Sequence, residues 1–396
     1  MDVNSRVDHH GRPKLSSKTG PVLRLPAELV YHVLDEIASE RNSELRQQSL
    51  AYCTLTCQAW LHYASKLFLA NVDVDRWDVA SCRWVTLSAL LDAAEKSPRL
   101  QRYVTSISEN LESLCMVTLE EVQKTLPNVH SLTIRSQRRP EHALAVRPLS
   151  TPIHTLELAG MRADAFAPSL LPFASVEHLR LVQPHGYTFG FSRPAPLAKK
   201  IRVRRVSFED MGLGARDPFL VLQGLLDPSA LRSVSLHHRD DACAWYHGDA
   251  ILEGLDAFLG HAGQGITALS LDAAHFRRGD RAIPALKCCT NLESLTLTMP
   301  ATPTISPTAL DAACAAVLSD TSASLRRLRL VFTPAVFDAW PGIKGTSAVT
   351  TALQKCAMLQ RVVFVGAVSG QLGDKARARI HAILPGRLRS RFDIEI

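Results

Sequence analysis

The sequence predicts an α/β protein: an N-terminal three-helix unit, then an irregular solenoid of strand-and-helix repeats. Three observations carry that prediction. A hexad of the form Φ-x-x-Φ-x-Φ, with Φ apolar, recurs nine times from residue 129 onward. Its starts are spaced 24, 23, 27, 28, 35, 26, 33 and 34 residues apart, about 29 on average. At that period each repeat touches only its neighbours, and stacking supplies the core. Apolar residues at helical spacing fill residues 26–68 and several of the intervals between hexads. The apolar pair at hexad positions four and six is the period-two mark of a short strand with one buried face. Such repeats form a horseshoe, with parallel strands on the concave side and helices on the convex side.

Taken in order, residues 1–21 are polar and rich in Gly, Pro and Ser, with His9 and His10 adjacent, and read as a disordered tail. Residues 22–70 form the helical unit. Pro26 suits a first helical turn, where a missing N–H costs little. Leu29, Val33 and Ile37 follow at intervals of four, and Val30 with Leu34 widens the stripe. Ser39 to Ser43 is a polar break. A second helix is expected from Leu45 to Thr56, and a third carries Trp60, Leu61 and Tyr63 to Phe68. Such a short unit cannot bury a large core, so part of its apolar surface is expected to meet something else. Residues 71–97 read as a helical linker or cap.

Residues 98–396 are the solenoid. A degenerate copy, YVTSIS at Tyr103 to Ser108, comes first. The hexads begin at Val129, Ile153, Val176, Val203, Leu231, Ile266, Leu292, Leu325 and Leu359, and RFDIEI supplies a last strand. Helices are expected at Phe219 to Leu226, Ala250 to Gly260, Thr308 to Asp320 and Ser347 to Ala357. Thr118 with Glu121 fits a capping box. Longer intervals, around Ala242 to Asp249 and Phe332 to Thr346, read as irregular loops.

Composition narrows the function. The chain has 396 residues, 46% hydrophobic and 21% charged, which are globular values. No apolar run approaches the ~18 residues of a membrane span, and the N-terminus has no apolar stretch for a secretory leader. Nine cysteines are scattered without any C-x-x-C. Reduced thiols and a cytoplasmic or nuclear location, or both, are therefore expected. The net charge of +7 is dispersed and aromatics are only 6%, which disfavours nucleic acid.

No G-x-S-x-G, H-E-x-x-H or P-loop occurs. The stretch HHRDDACAWYHGD, from His237 to Asp249, matches no zinc spacing and reads as a polar loop. Gly260, Gly263 and Gly265 read as helix capping and turn residues. No catalytic residue, cofactor or metal is expected.

Residues 22–70 resemble an F-box. The resemblance rests on L-P-x-E-L at Leu25, Pro26, Glu28 and Leu29, on Val33, Leu34, Leu50 and Leu55, and on C-x-x-W at Cys57 and Trp60. Residues 98–396 resemble leucine-rich repeats. An F-box followed by irregular leucine-rich repeats is similar to the expanded F-box families of mushroom-forming (basidiomycete) fungi. The resemblance implies the substrate-recognition subunit of an SCF-type cullin–RING ubiquitin ligase. The F-box would dock on the SKP adaptor, which links it to the cullin core, and the repeats would hold the target protein. It assigns Leu25, Pro26, Glu28, Leu29, Val33, Leu34, Leu55 and Trp60 to adaptor contact or to packing within the three helices. The sequence departs from the pattern at Glu40 to Arg46, a long charged segment where many F-boxes have a short Asp-Pro turn. The alternative is a repeat scaffold without ligase coupling, in which residues 25–68 merely cap the solenoid.

Strand alternation puts hexad positions three, five and seven on the concave face. The charged residues there are Arg135, Glu157, Arg180, Arg205, Glu209, Asp272, Arg327, Arg329 and Arg361, joined by His178 and His237. Six arginines against three acids point to an acidic or phosphorylated target segment. The cluster Lys199, Lys200, Arg202, Arg204 and Arg205 beside one strand suits an import signal, an anionic partner or a plain solvated strand start.

Overall fold

The computed structural model describes residues 27–40, 43–56, 58–74, 76–78, 83–110, 119–135, 152–184, 200–211, 216–237, 244–272, 284–299, 307–321, 324–332, 348–366, 378, 381, 384, 386 and 392–395. The expected tail, Leu25, Pro26, Cys57, Thr118, Lys199 and most of Phe332 to Thr346 lie outside them. The chain divides into two compact units, Met1–Ala70 and Asn71–Ile396.

Three helices make the first unit: α1 (Ala27–Ser39), α2 (Ser43–Thr56) and α3 (Gln58–Ala70). Val30, Leu34, Leu50, Cys53 and Ala64 form its buried centre, with Ile37, Trp60, Tyr63, Leu67 and Phe68 packed around them. The stripe read along α1 therefore splits. Val30, Leu34 and Ile37 turn inward, whereas Leu29 and Val33 stay exposed. Tyr63 ties α3 to α1: its hydroxyl donates to Asp35 at 2.8 Å, and its ring lies 4.5 Å from that of Tyr31.

The second unit is built on one twelve-stranded parallel sheet. Its strands are β1 (Asn71–Asp73), β4 (Ser106–Asn110), β5 (Ser131–Arg135), β6 (Ile153–Ala159), β7 (Ser175–Val182), β8 (Arg202–Glu209), β9 (Ser233–His237), β10 (Ala268–Asp272), β11 (Ser294–Met299), β12 (Arg327–Phe332), β13 (Arg361–Gly366) and β14 (Phe392–Glu395). Each pairs in register with its sequence neighbour in the sheet, so hexad positions stack in rows. One row runs Leu132, Leu156, Leu179, Val206, Val234, Leu269, Leu295, Leu328, Val362. This row and the one at position six are buried throughout these strands. Positions three and five are mostly half-exposed. The alternation read from the sequence is the alternation the sheet has.

Residues 71–97 differ from the expected helical linker. They contain β1, which pairs with β4, then the short antiparallel pair β2 (Arg76–Asp78) and β3 (Arg83–Val85), and only then α4 (Leu87–Glu95). Three-residue strands are too short to show a period, so this edge carries no sequence signal. The degenerate first copy is also shifted by one residue. Val104, Ile107 and Glu109 take the three inward positions, and Glu109 is buried where other repeats place Ile, Leu or Phe.

Between strands run α5 (Pro98–Tyr103), α6 (Leu119–Thr125), α7 (Ala163–Leu170), α8 (Arg216–Leu225), α9 (Ala244–Ala262), α10 (Pro307–Asp320) and α11 (Ala348–Lys355). Thr86 and Ser97 cap α4 and α5 by accepting from Ala89 N–H and Leu100 N–H. Helix α9 occupies Ala244 to Asp249, where an irregular loop was expected.

Two further caps cross between repeats. Asp256 on α9 accepts from Ala285 N–H at 2.8 Å, at the head of the 3-10 helix Pro284–Cys288. Asp311 on α10 accepts from Ala348 N–H, which opens α11, at 2.6 Å. Sequence inspection misses such caps because the acceptor lies far upstream of the helix it serves. Phe208, Phe219 and Phe258 fill the middle of the core, with Phe208 and Phe219 centroids 4.3 Å apart.

Strand ends follow one rule over three repeats. Gly160, Gln183 and Asp210 each adopt positive φ, 62°, 48° and 53°, directly after β6, β7 and β8. Each N–H donates to the carbonyl of the next strand's last residue, Val182, Glu209 and His237 respectively. Gly263 and Gly265 have no positive φ; close approach explains them instead. A Cβ on Gly265 would lie 2.7 Å from the Leu231 carbonyl oxygen, and one on Gly263 3.1 Å from Cys289 Sγ.

Candidate interaction surfaces

On the helical unit the notable feature is apolar exposure. Leu29, Tyr31, Val33, Leu45, Tyr52 and Leu55 are all exposed, Tyr52 at 71% and Leu55 at 82%. Leu29 and Val33 stand one turn apart on α1. Leu45, Tyr52 and Leu55 stand seven and three residues apart on α2, so each set shares a helix face. Glu28 is exposed in the first turn of α1. Of the described residues expected at an adaptor contact, Glu28, Leu29, Val33 and Leu55 are on the surface. Leu34 is not: at 0% exposure it is a core residue of the three helices. Trp60 is half-buried against that core. Tyr52 and Leu45 are surface residues that the motif did not name; the signal was their spacing from Leu55.

On the sheet unit, the face opposite the helices is rich in hydroxyls. Ser207 and Ser235 are linked at 2.7 Å, and His178 Nε2 is hydrogen-bonded to Ser207 Oγ at 2.7 Å, a chain across β7, β8 and β9. Burial and the charges of Arg180 and Arg205 push the His178 pKa down. Burial does the same for His237, against the opposing pull of Glu209. Both histidines therefore favour the neutral form.

The expected positive character of this face is largely neutralised from within. Arg180 donates to Glu209 from Nε and Nη2, at 3.0 and 2.8 Å, and from Nη1 to Glu157. Burial opposes its charge, but the two carboxylates outweigh that and raise its pKa. Arg135 pairs with Asp73 at 3.1 Å, and Arg361 Nε donates to Asp393 at 2.8 Å. Arg205 lies 3.8 Å from Glu177. Glu209 and Asp272 are buried, at 8% and 2% exposure, and so offer a partner little surface. Arg327 and Arg329 on β12 remain exposed.

Buried thiols lie on the helical side of the sheet. Burial, then the neighbouring Cys288, pushes the Cys289 thiol up to about 12, and burial pushes Cys314 higher still. Both stay protonated at neutral pH. Among the described residues there is no cluster of three potential metal ligands, and no helix is long and apolar enough to cross a membrane.

Fold and surfaces together define a parallel-sheet repeat protein with a separate three-helix unit that displays apolar side chains. No protein-family model matches the chain, and no curated protein matches it in sequence.

Proposed function

We propose that this chain is the substrate-recognition subunit of an SCF-type cullin–RING ubiquitin ligase, with residues 22–70 docking on an SKP-type adaptor and the repeats holding a target protein. The observation that carries the proposal is the imbalance within the helical unit. Five buried residues make its centre, while six large apolar side chains stay in water. Apolar exposure on that scale in so small a unit is costly unless a partner covers it. Leu29, Val33 and Leu55 belong both to this surface and to the F-box resemblance. Leu34 and Trp60 contribute by packing the helices that present it. The chain itself catalyses nothing in this reading; it positions a target for ubiquitin transfer.

The test is coexpression with an SKP adaptor, followed by a binding measurement. The intact chain is expected to copurify. Leu29→Asp with Leu55→Asp is expected to weaken binding by about 100-fold or more, since each removes burial worth about 2 kcal/mol. Both side chains are exposed, so the melting temperature should hold. Absence of binding by the folded intact chain overturns the proposal and leaves a repeat scaffold without ligase coupling.

A further inference from the structure

The geometry points to the N-terminal edge of the sheet, rather than the face opposite the helices, as the groove that holds an acidic or phosphorylated polypeptide segment. At this edge the hexad's second position stacks from repeat to repeat: His130, His154, Glu177, Arg204, Arg232, Thr267, Glu293, Arg326, Gln360. Two adjoining grooves run along it, of about 750 Å³ and about 590 Å³, and they share Arg232 and Thr267. Together they are lined by four arginines, Arg202, Arg204, Arg232 and Arg326, against two carboxylates, Glu177 and Glu293. One carboxylate is committed: Glu177 holds Arg204 at 3.3 Å.

Backbone groups at this edge are already used. The carbonyl of Arg232 accepts the N–H groups of Thr267 and Ala268, at 2.8 and 3.1 Å, and that of Glu293 accepts those of Arg326 and Arg327, both at 2.9 Å. The His130 carbonyl does the same for His154 and Thr155. A ligand must therefore be read by side chains, not by strand addition. Arg232 is set up for this at the junction of the two grooves. Its Nη1 donates to the carbonyls of Leu231 and Gly265, at 3.1 and 3.2 Å, which fixes the guanidinium. Among the described residues its Nε and Nη2 have no partner, so a carboxylate or phosphate can be gripped there with little further ordering.

The row's composition selects the partner. Neighbouring strands lie ~4.8 Å apart, so Arg204 and Arg232 are one strand apart and Arg326 three strands further. Thr267 and Glu293 lie between. Cations interrupted by a hydroxyl and a carboxylate suit acids spaced by neutral residues. A continuous phosphate backbone would meet Glu177 and Glu293, and among the described residues the groove offers no Phe, Tyr or Trp for base stacking. On the face opposite the helices four of the six arginines, Arg135, Arg180, Arg205 and Arg361, are paired with carboxylates among the described residues, whereas of the four at the edge Arg204 is the one so paired.

The inference rests on the receptor reading only for what the bound segment is: a target. The two fail separately, because Leu29→Asp with Leu55→Asp blocks adaptor capture and leaves the edge untouched.

The experiment measures binding of a fluorescein-labelled peptide of alternating glutamate and glycine to the full chain, beside an oligothymidylate of equal charge. Arg204→Glu with Arg326→Glu is expected to weaken peptide binding by at least about tenfold with an unchanged melting temperature. Arg327→Glu with Arg329→Glu, on the other face, is expected to leave it within about twofold. Equal loss in both variants, retention in the edge variant, no peptide binding by the intact chain, or tighter binding of the oligothymidylate would each overturn the inference.

Discussion

The two units solve the burial problem in opposite ways. The sheet unit puts its apolar hexad positions under helices and leaves Ser, Thr and internally paired charges on the other face. The helical unit buries Val30, Leu34, Leu50, Cys53 and Ala64 and leaves Leu29, Val33, Tyr52 and Leu55 in water. A repeat array closes its core by adding neighbours, each new strand covering the last. Three short helices have no such recourse, so one of their faces stays available. Under the proposed function, the exposed apolar side chains of the helical unit are where a partner docks.

The largest expected effect tests the sheet side of that contrast. Phe208→Ala removes a fully buried ring packed between Phe219 and Phe258. It is expected to cost about 3–5 kcal/mol. In scanning calorimetry it should lower the main transition, whereas Leu29→Asp with Leu55→Asp should leave that transition in place. If both variants move the same transition, the two units do not melt independently and the contrast breaks.

Gly265→Ala comes next. Its Cβ would press on the Leu231 and Pro228 carbonyl oxygens at 2.7 and 2.9 Å and on Arg232 Nη1 at 3.2 Å. Relieving that costs about 1–3 kcal/mol, read as a lower denaturant midpoint. Because Arg232 Nη1 donates to the Leu231 carbonyl and to that of Gly265 itself, peptide binding at the sheet edge should weaken together with stability.

The smallest effect concerns pH and sharpens the account of the hydroxyl-rich face. His178 and His237 both have lowered folded-state pKa values, so the unfolded chain takes up their protons first, near pH 6.5. Stability should be full above that value and fall as pH drops through the window below it. It should level off once the folded histidines also protonate. Melting temperatures from pH 7.5 to 5 should show this slope, and His178→Gln with His237→Gln should flatten it. An unchanged slope would mean that other groups set the acid response.

Much of the sheet was readable because a period of two survives any loop length. Leu156 and Leu158, or Leu295 and Leu297, announce a one-faced strand whatever lies between repeats. The edge strand Asn71–Asp73 was not readable, since three residues hold no period. The α9 start was hidden because His247, Gly248 and Asp249 are residue types common in loops. On α1 five apolar positions were evident, but which of them faced inward depended on where α2 and α3 lay. The motif left Leu34 either at the adaptor or inside the three helices, and it is a core residue.

The candidate site divides along the same line. Residue types and their hexad positions were determined by the sequence alone: six arginines facing away from the helices, and a basic run from Lys199 to Arg205 that leads into β8. Which arginines carry free charge was decided only in three dimensions. Arg180 meets Glu157 from 23 residues before it and Glu209 from 29 residues after it, and those pairings exist only once strand register brings the rows together. Local pattern fixes which side of a strand a residue occupies, because that follows from backbone geometry. Partnership between charges follows from distance, and distance between repeats is set by the tertiary structure.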